Sequence, residues 1–150
     1  MKAAFLQQTG SPDVIQYGDL PKPHAGTGEY LVRIKAAALN PIDLYIRAGT
    51  VAMNLPMPFV SGCDFAGVIE SVGEGASRFK VGDRVWGSNQ GLLGRQGTSA
   101  EFLSVKEDWL YPSPDGVDDQ QLAATALVGI TAHLGLFRNA NLKAGEIVFV

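Results

Sequence analysis

The side chains whose types and spacing could carry chemistry include Asn40, Asp43 and Tyr45, close together, and Cys63 beside Asp64. A catalytic zinc takes three protein ligands and a structural zinc four, often all cysteine. The single cysteine excludes the second kind. His24 follows a proline turn and His133 falls in an expected helix, with nothing in the sequence to bring them together, so no metal is expected. Cys63 reads as a small buried side chain rather than a nucleophile.

The phosphate-binding glycine fingerprint G-x-G-x-x-G fails wherever it begins. Gly26-Thr27-Gly28 runs on to Leu31 and Gly73-Glu74-Gly75 to Arg78, and both lie between expected strands, where a hairpin turn explains them. Gly91, Gly94 and Gly97 have the wrong spacing and sit in a polar stretch, residues 88–99, expected to be a mobile surface loop.

The elements that would position these groups follow from spacing. Residues 2–6 and 14–20 read as strands around a Gly10-Ser11-Pro12 turn, and Pro21-Lys22-Pro23 forbids regular structure. In residues 28–38, Tyr30, Val32, Ile34 and Ala36 alternate with Arg33 and Lys35, the pattern of a half-buried strand. At Asn40 the period changes. Its side-chain oxygen suits a helix cap, Pro41 suits the first helical position, and Asp43 puts a carboxylate at the positive end. Ile42, Tyr45 and Ile46 share one side of that helix, and Gly49 ends it. Residues 50–58 form a loop. Residues 60–87, with recurrent glycines, read as short twisted strands and tight turns, and 100–105 and 109–111 return to strand. Beyond the break at Pro112-Ser113-Pro114-Asp115-Gly116, acidic residues open a helix through Val128, a second helix covers 131–137, and 147–150 is a fully apolar strand.

Five motifs stand in a specific order and spacing: Asn40-Pro41-Ile42-Asp43 with Arg47 and Gly49, Gly62-x-Asp64-x-Ala66-Gly67-x-Ile69, Val72-Gly73-x-Gly75, Phe79-x-x-Gly82-Asp83-Arg84-Val85, and Gly129-Ile130-Thr131-Ala132. Together they resemble the N-terminal domain of the medium-chain dehydrogenase/reductase family. Within it the chain is most similar to the zinc-free, zeta-crystallin-like quinone oxidoreductases. The zinc branch has a cysteine where this chain has Asn40, and Gly-His-Glu where it has Gly62-Cys63-Asp64.

The resemblance implies a mainly β fold with α: a GroES-like β-barrel with short helices in residues 1–116, then in 117–150 the first helices and first strand of a truncated Rossmann domain. It implies NADPH as cofactor, with Asn40, Asp43, Tyr45 and Thr131 at the nicotinamide end and Tyr45 also catalytic, bonding the oxygen that gains charge as hydride passes to a quinone or α,β-unsaturated carbonyl. The full-length parent would be a homodimer, and this piece alone inactive. Each residue also has a plain structural role: Asn40 as cap, Asp43 as dipole partner or ion pair to Arg47, Tyr45 as core, Thr131 as a helix-start residue. The alternative is a stand-alone GroES-like binding or scaffold module.

Composition fits either. Twelve basic against fifteen acidic residues give a net charge of -3 without a basic block, which argues against nucleic acid as a partner. The N-terminus turns polar too soon for a signal peptide and no run reaches membrane-span length, so a soluble cytoplasmic protein is expected.

Overall fold

The computed structural model describes residues 1–149. Eight strands form two antiparallel sheets: β1 (Lys2–Leu6), β2 (Gln16–Asp19) and β4 (Phe59–Val60) in the order β2-β1-β4, and β3 (Glu29–Ala38), β5 (Asp64–Val72), β6 (Arg84–Gly87), β7 (Phe102–Lys106) and β8 (Leu110–Pro112) in the order β7-β3-β5-β6-β8. Ala4 N–H donates to the Ser99 carbonyl and Glu101 N–H to that of Lys2, so the sheets join edge to edge. The larger sheet closes over Tyr30, Val32, Phe65, Ile69, Val85, Leu103, Val105 and Leu110.

The expected strand at 14–20 is shorter. Pro12 starts a single turn of 3₁₀ helix, Pro12–Val14, and pairing begins only at Gln16. Alternation in β3 is also imperfect. Register shifts between Leu31 and Val32 and between Ile34 and Ala36 let Leu31 be buried beside Tyr30 and Val32.

Helix α1 (Pro41–Ala48) starts where Asn40 and Pro41 place it and stops at Gly49, whose φ of 79° gives the left-handed turn that releases the chain. Ile46 is buried against Leu6 and Phe59, with Ile42 at the edge of that cluster. Tyr45 departs from the expected face, being 52% exposed.

The two helices expected near the C-terminus are one. Helix α2 (Asp119–His133) is capped by the Asp118 carboxylate, which accepts from Gln121 N–H at 2.7 Å, and runs directly into a π-helical stretch, Leu134–Asn139. The expected break at Gly129 does not occur, since an interior glycine costs a helix only about 1 kcal/mol and no proline follows it. Leu122 and Ala123 pack on Ala66, with Ala36 and Ala38 alongside, so small side chains bring α2 close to the barrel wall. The strand expected at 147–150 is not formed over 147–149, and Val150 lies outside the described residues. A strand needs a neighbour to hydrogen-bond, and Ile147 and Phe149 are 98% and 100% exposed.

The polar stretch 88–99 is tied down. Gln96 donates from Nε2 to the Pro56 and Pro58 carbonyls and accepts from Val60 N–H, Arg95 donates to the Asn89 carbonyl, and Gln90 and Thr98 are buried. Backbone bonds from Gly97, Thr98 and Ser99 N–H to the Val60, Gly62 and Ser61 carbonyls add to these side-chain bonds, a pairing that composition alone does not reveal.

Tyr30 fixes the barrel to its turns. Its buried hydroxyl donates to Glu107 at 2.8 Å and accepts from Phe79 N–H at 3.1 Å. Bonds from Ser77 N–H, Tyr30 and Arg78 N–H hold the Glu107 carboxyl below its usual range. Replacing Tyr30 with Phe strands the Phe79 amide and should lower unfolding stability by about 1–2 kcal/mol. Equilibrium urea unfolding at pH 7 measures this, and an unchanged midpoint would show that the hydroxyl contributes nothing.

Candidate functional site

The register of the larger sheet creates the site. β3 pairs with β5 so that Ala38 faces Asp64, and β5 pairs with β6 so that Phe65 faces Gly87. Asn40, Asp64 and Ser88 therefore stand at the same end of three adjacent strands, although they are far apart in sequence. Helix α2 lies against that end.

Asp64 is completely buried. Its Oδ1 accepts from Ser88 Oγ at 2.6 Å, and its Oδ2 accepts from Asn40 Nδ2 at 2.9 Å and from Leu127 N–H at 3.0 Å. Asn40 occupies the cap position of α1 as expected, but its side-chain amide donates to Asp64. The complementary half of a capping box is present: the Asp43 carboxylate accepts from Asn40 N–H at 2.8 Å. Cys63 Sγ lies 3.1 Å from the other Asp43 oxygen and donates to it.

Asp43 is thus buried between Asn40 and Cys63, and the ion pair to Arg47 that its spacing allowed is not made. Arg47 donates instead to the Gly10 carbonyl at 2.6 Å. Burial pushes the Asp43 carboxyl above its ordinary value, against the bond from Asn40 N–H. Burial, and then the bond to Asp43, push the Cys63 thiol strongly up. Cys63 is a proton donor held in the thiol form, so it lacks the thiolate that nucleophilic chemistry needs.

Of the residues named from sequence, Asn40 and Asp43 belong to this buried network, while Tyr45 projects half-exposed from α1. Thr131 is exposed on α2 and joins the network indirectly, its hydroxyl donating to the Leu127 carbonyl at 2.9 Å. Sequence reasoning gave Asp64 no role of its own and missed Ser88 and Leu127. Asp64 was visible as the carboxylate of Gly62-Cys63-Asp64, but nothing local marks Ser88 or a backbone amide.

A zinc site does not fit these residues. The Cys63 thiol is engaged with Asp43, and both Asp64 oxygens accept hydrogen bonds from neutral donors. Among the described residues no three His, Cys, Asp or Glu side chains converge on a point that could hold a metal ion.

The larger cavity, about 450 Å³, lies elsewhere, lined by Leu20, Pro21, Phe102 and Lys106 among others, and holds none of the named residues. A smaller cleft of about 260 Å³ runs between Trp86 and the α2 residues Ala126, Gly129, Ile130 and His133. Its α2 wall flanks Thr131 in sequence.

Residues 26–115 match the alcohol dehydrogenase GroES-like domain. The chain belongs to that family. Rat quinone oxidoreductase is 36% identical over 151 residues, covering all of this chain but 45% of the relative. An NAD-dependent alcohol dehydrogenase superposes with a TM-score of 0.90 at 31% identity over 97% of this chain and 49% of its own. Escherichia coli quinone oxidoreductase complexed with NADPH gives 0.84 at 27% identity, over 93% and 41%. The chain therefore spans under half the length of each. In this GroES-like domain no described helix is long and apolar enough to cross a membrane.

The thiol supplies a test. Its folded pKa is raised, so above the ordinary cysteine value, about 8.5, the unfolded chain loses a proton that the folded chain keeps. Stability conferred below that pH is lost as pH rises, by up to about 1.4 kcal/mol per pH unit. Cys63→Ser keeps a donor for Asp43 without titrating there. Urea unfolding at pH 8 and 10 should show wild type losing about 1–2 kcal/mol more than Cys63→Ser; parallel losses would contradict the assignment.

Proposed function

We propose that this chain is the catalytic half of an NADPH-dependent, zinc-independent quinone or enone oxidoreductase, with residues 1–116 as the catalytic barrel and 117–150 opening the nucleotide-binding domain. The observation that carries this reading is that Asn40 and Cys63, which stand where the zinc branch has its cysteine and histidine, are engaged as hydrogen-bond donors to Asp64 and Asp43. Similarity to quinone oxidoreductases over the whole chain, and the NADPH complex of the E. coli protein, support it.

NADPH supplies a hydride from its nicotinamide ring, and the protein's part is to place the acceptor and stabilise the oxygen that gains charge. Asn40 and Tyr45 at α1 and Thr131 on α2 are of the right types for the nicotinamide end. Thr131 has spent its proton on Leu127, so toward a ligand it is an acceptor. Tyr45 keeps a solvent-facing hydroxyl that can donate to the acceptor's oxygen. The pyrophosphate has no cradle among the described residues. Gly28 and Gly75 have positive φ, but they lie in turns between strands and not at the start of a helix.

The binding-module alternative gains nothing from the 88–99 loop. Leu92 packs inward against the Leu6, Ile46 and Phe59 cluster, and Leu93, 77% exposed, is its one solvent-facing apolar anchor among the described residues.

The present chain should bind NADPH negligibly; saturable micromolar binding by calorimetry would overturn that. In the longer protein carrying the nucleotide-binding half, NADPH with a benzoquinone should turn over, and Tyr45→Phe should lower kcat about tenfold or more. Unchanged kcat would remove Tyr45 from the mechanism, and no turnover in wild type would remove the function.

A further inference from the structure

We infer that Asp64 is a positioning residue that holds Asn40, at the start of α1, and Thr131, on α2, in fixed relation to each other. The inference rests on the functional reading above for its purpose but not for its geometry. A continuous chain of hydrogen bonds joins the two. Asn40 Nδ2 donates to Asp64 Oδ2 at 2.9 Å, and the same oxygen accepts Leu127 N–H at 3.0 Å. The Leu127 carbonyl in turn accepts from Thr131 Oγ1 at 2.9 Å.

The three donors on Asp64 come from separate elements: the start of α1, the end of β6 and the middle of α2. The helix bond is unusual in its position. Carboxylates commonly meet helix amides in the first turn, where four N–H groups lack partners, whereas Leu127 lies well inside α2. Helix α2 otherwise meets the barrel through Leu122 and a set of alanines, and through the Arg84–Asp119 ion pair at its first turn, 2.6 Å. Asp64 supplies the directional contact at the middle of the helix.

The residue type follows from the donor count. A carboxylate only accepts and offers about four lone-pair sites, so it takes all three donors without conflict. An asparagine could serve if its NH₂ turned toward Ser88, whose hydroxyl can reverse to accept. Its oxygen would then still receive Asn40 and Leu127. An apolar residue of similar size could accept nothing. A latch therefore predicts that Asp64→Asn is tolerated and Asp64→Leu is not, whereas a site sensitive only to size predicts that both are tolerated.

The test is amide hydrogen exchange by NMR on the 150-residue chain, which needs no cofactor and so stands or falls apart from the functional reading. In Asp64→Leu, exchange at Leu127 and its neighbours on α2 should quicken about tenfold or more, with the slow amides of β3 and β5 little changed. Asp64→Asn should stay within about threefold of wild type. Equal acceleration throughout the barrel, or no acceleration at Leu127, overturns the latch. Should Asp64→Leu fail to fold, the wild-type protein decides: a through-bond coupling between Leu127 nitrogen and Asp64 Cγ supports the latch. Its absence in a spectrum that shows the α2 backbone couplings overturns it.

Discussion

A carboxylate taken wholly out of water has to be met by donors on both oxygens, because an unmatched buried charge costs several kcal/mol. Asp64 is in that position, and the arrangement of α1, β6 and α2 around it can be understood as the delivery of those donors. The constraint acts in both directions. Asn40 has to turn its amide inward and α2 has to lie close enough to offer a backbone N–H, so the small residues Ala66, Ala123 and Ala36 follow from the same requirement. Losing one donor would leave a buried acceptor with about 1–3 kcal/mol of desolvation uncompensated.

A second buried pair sits beside the first. Asp43 accepts from Asn40 N–H and from the Cys63 thiol, so Asn40 uses its backbone for one carboxylate and its side chain for the other. Two acidic groups are thereby buried near each other without a cation between them. Neutral donors meet both of them, from Asn40, Cys63, Ser88 and Leu127.

The surroundings of the site divide into a rigid side and an open one. Strands β3, β5 and β6 hold Asn40, Asp64 and Ser88 at one sheet end, and the loop after β6 is fastened by Gln96 and Arg95. The outer surface of α2 and the residues after it carry exposed apolar side chains, among them Val128, Phe137, Ile147 and Phe149. The same helix thus faces a tightly bonded barrel with one surface and solvent with the other.

Much of this was legible in the sequence because it is local. Hydrophobic alternation marked β3, the Asn40-Pro41 start and Gly49 stop marked α1, and the acidic residues around Asp118 marked the start of α2, since each depends on residues within a turn or two. The continuity of α2, the pinning of the 88–99 loop and the exposure of Tyr45 were not, because they depend on what lies opposite. The polar network was hidden for the same reason. Sequence alone determined that these 150 residues, with one cysteine, cannot form an all-cysteine zinc site. Only tertiary structure decided that Asp64 would meet Ser88 and an amide of α2, because strand register and helix docking are set by contacts between residues far apart along the chain.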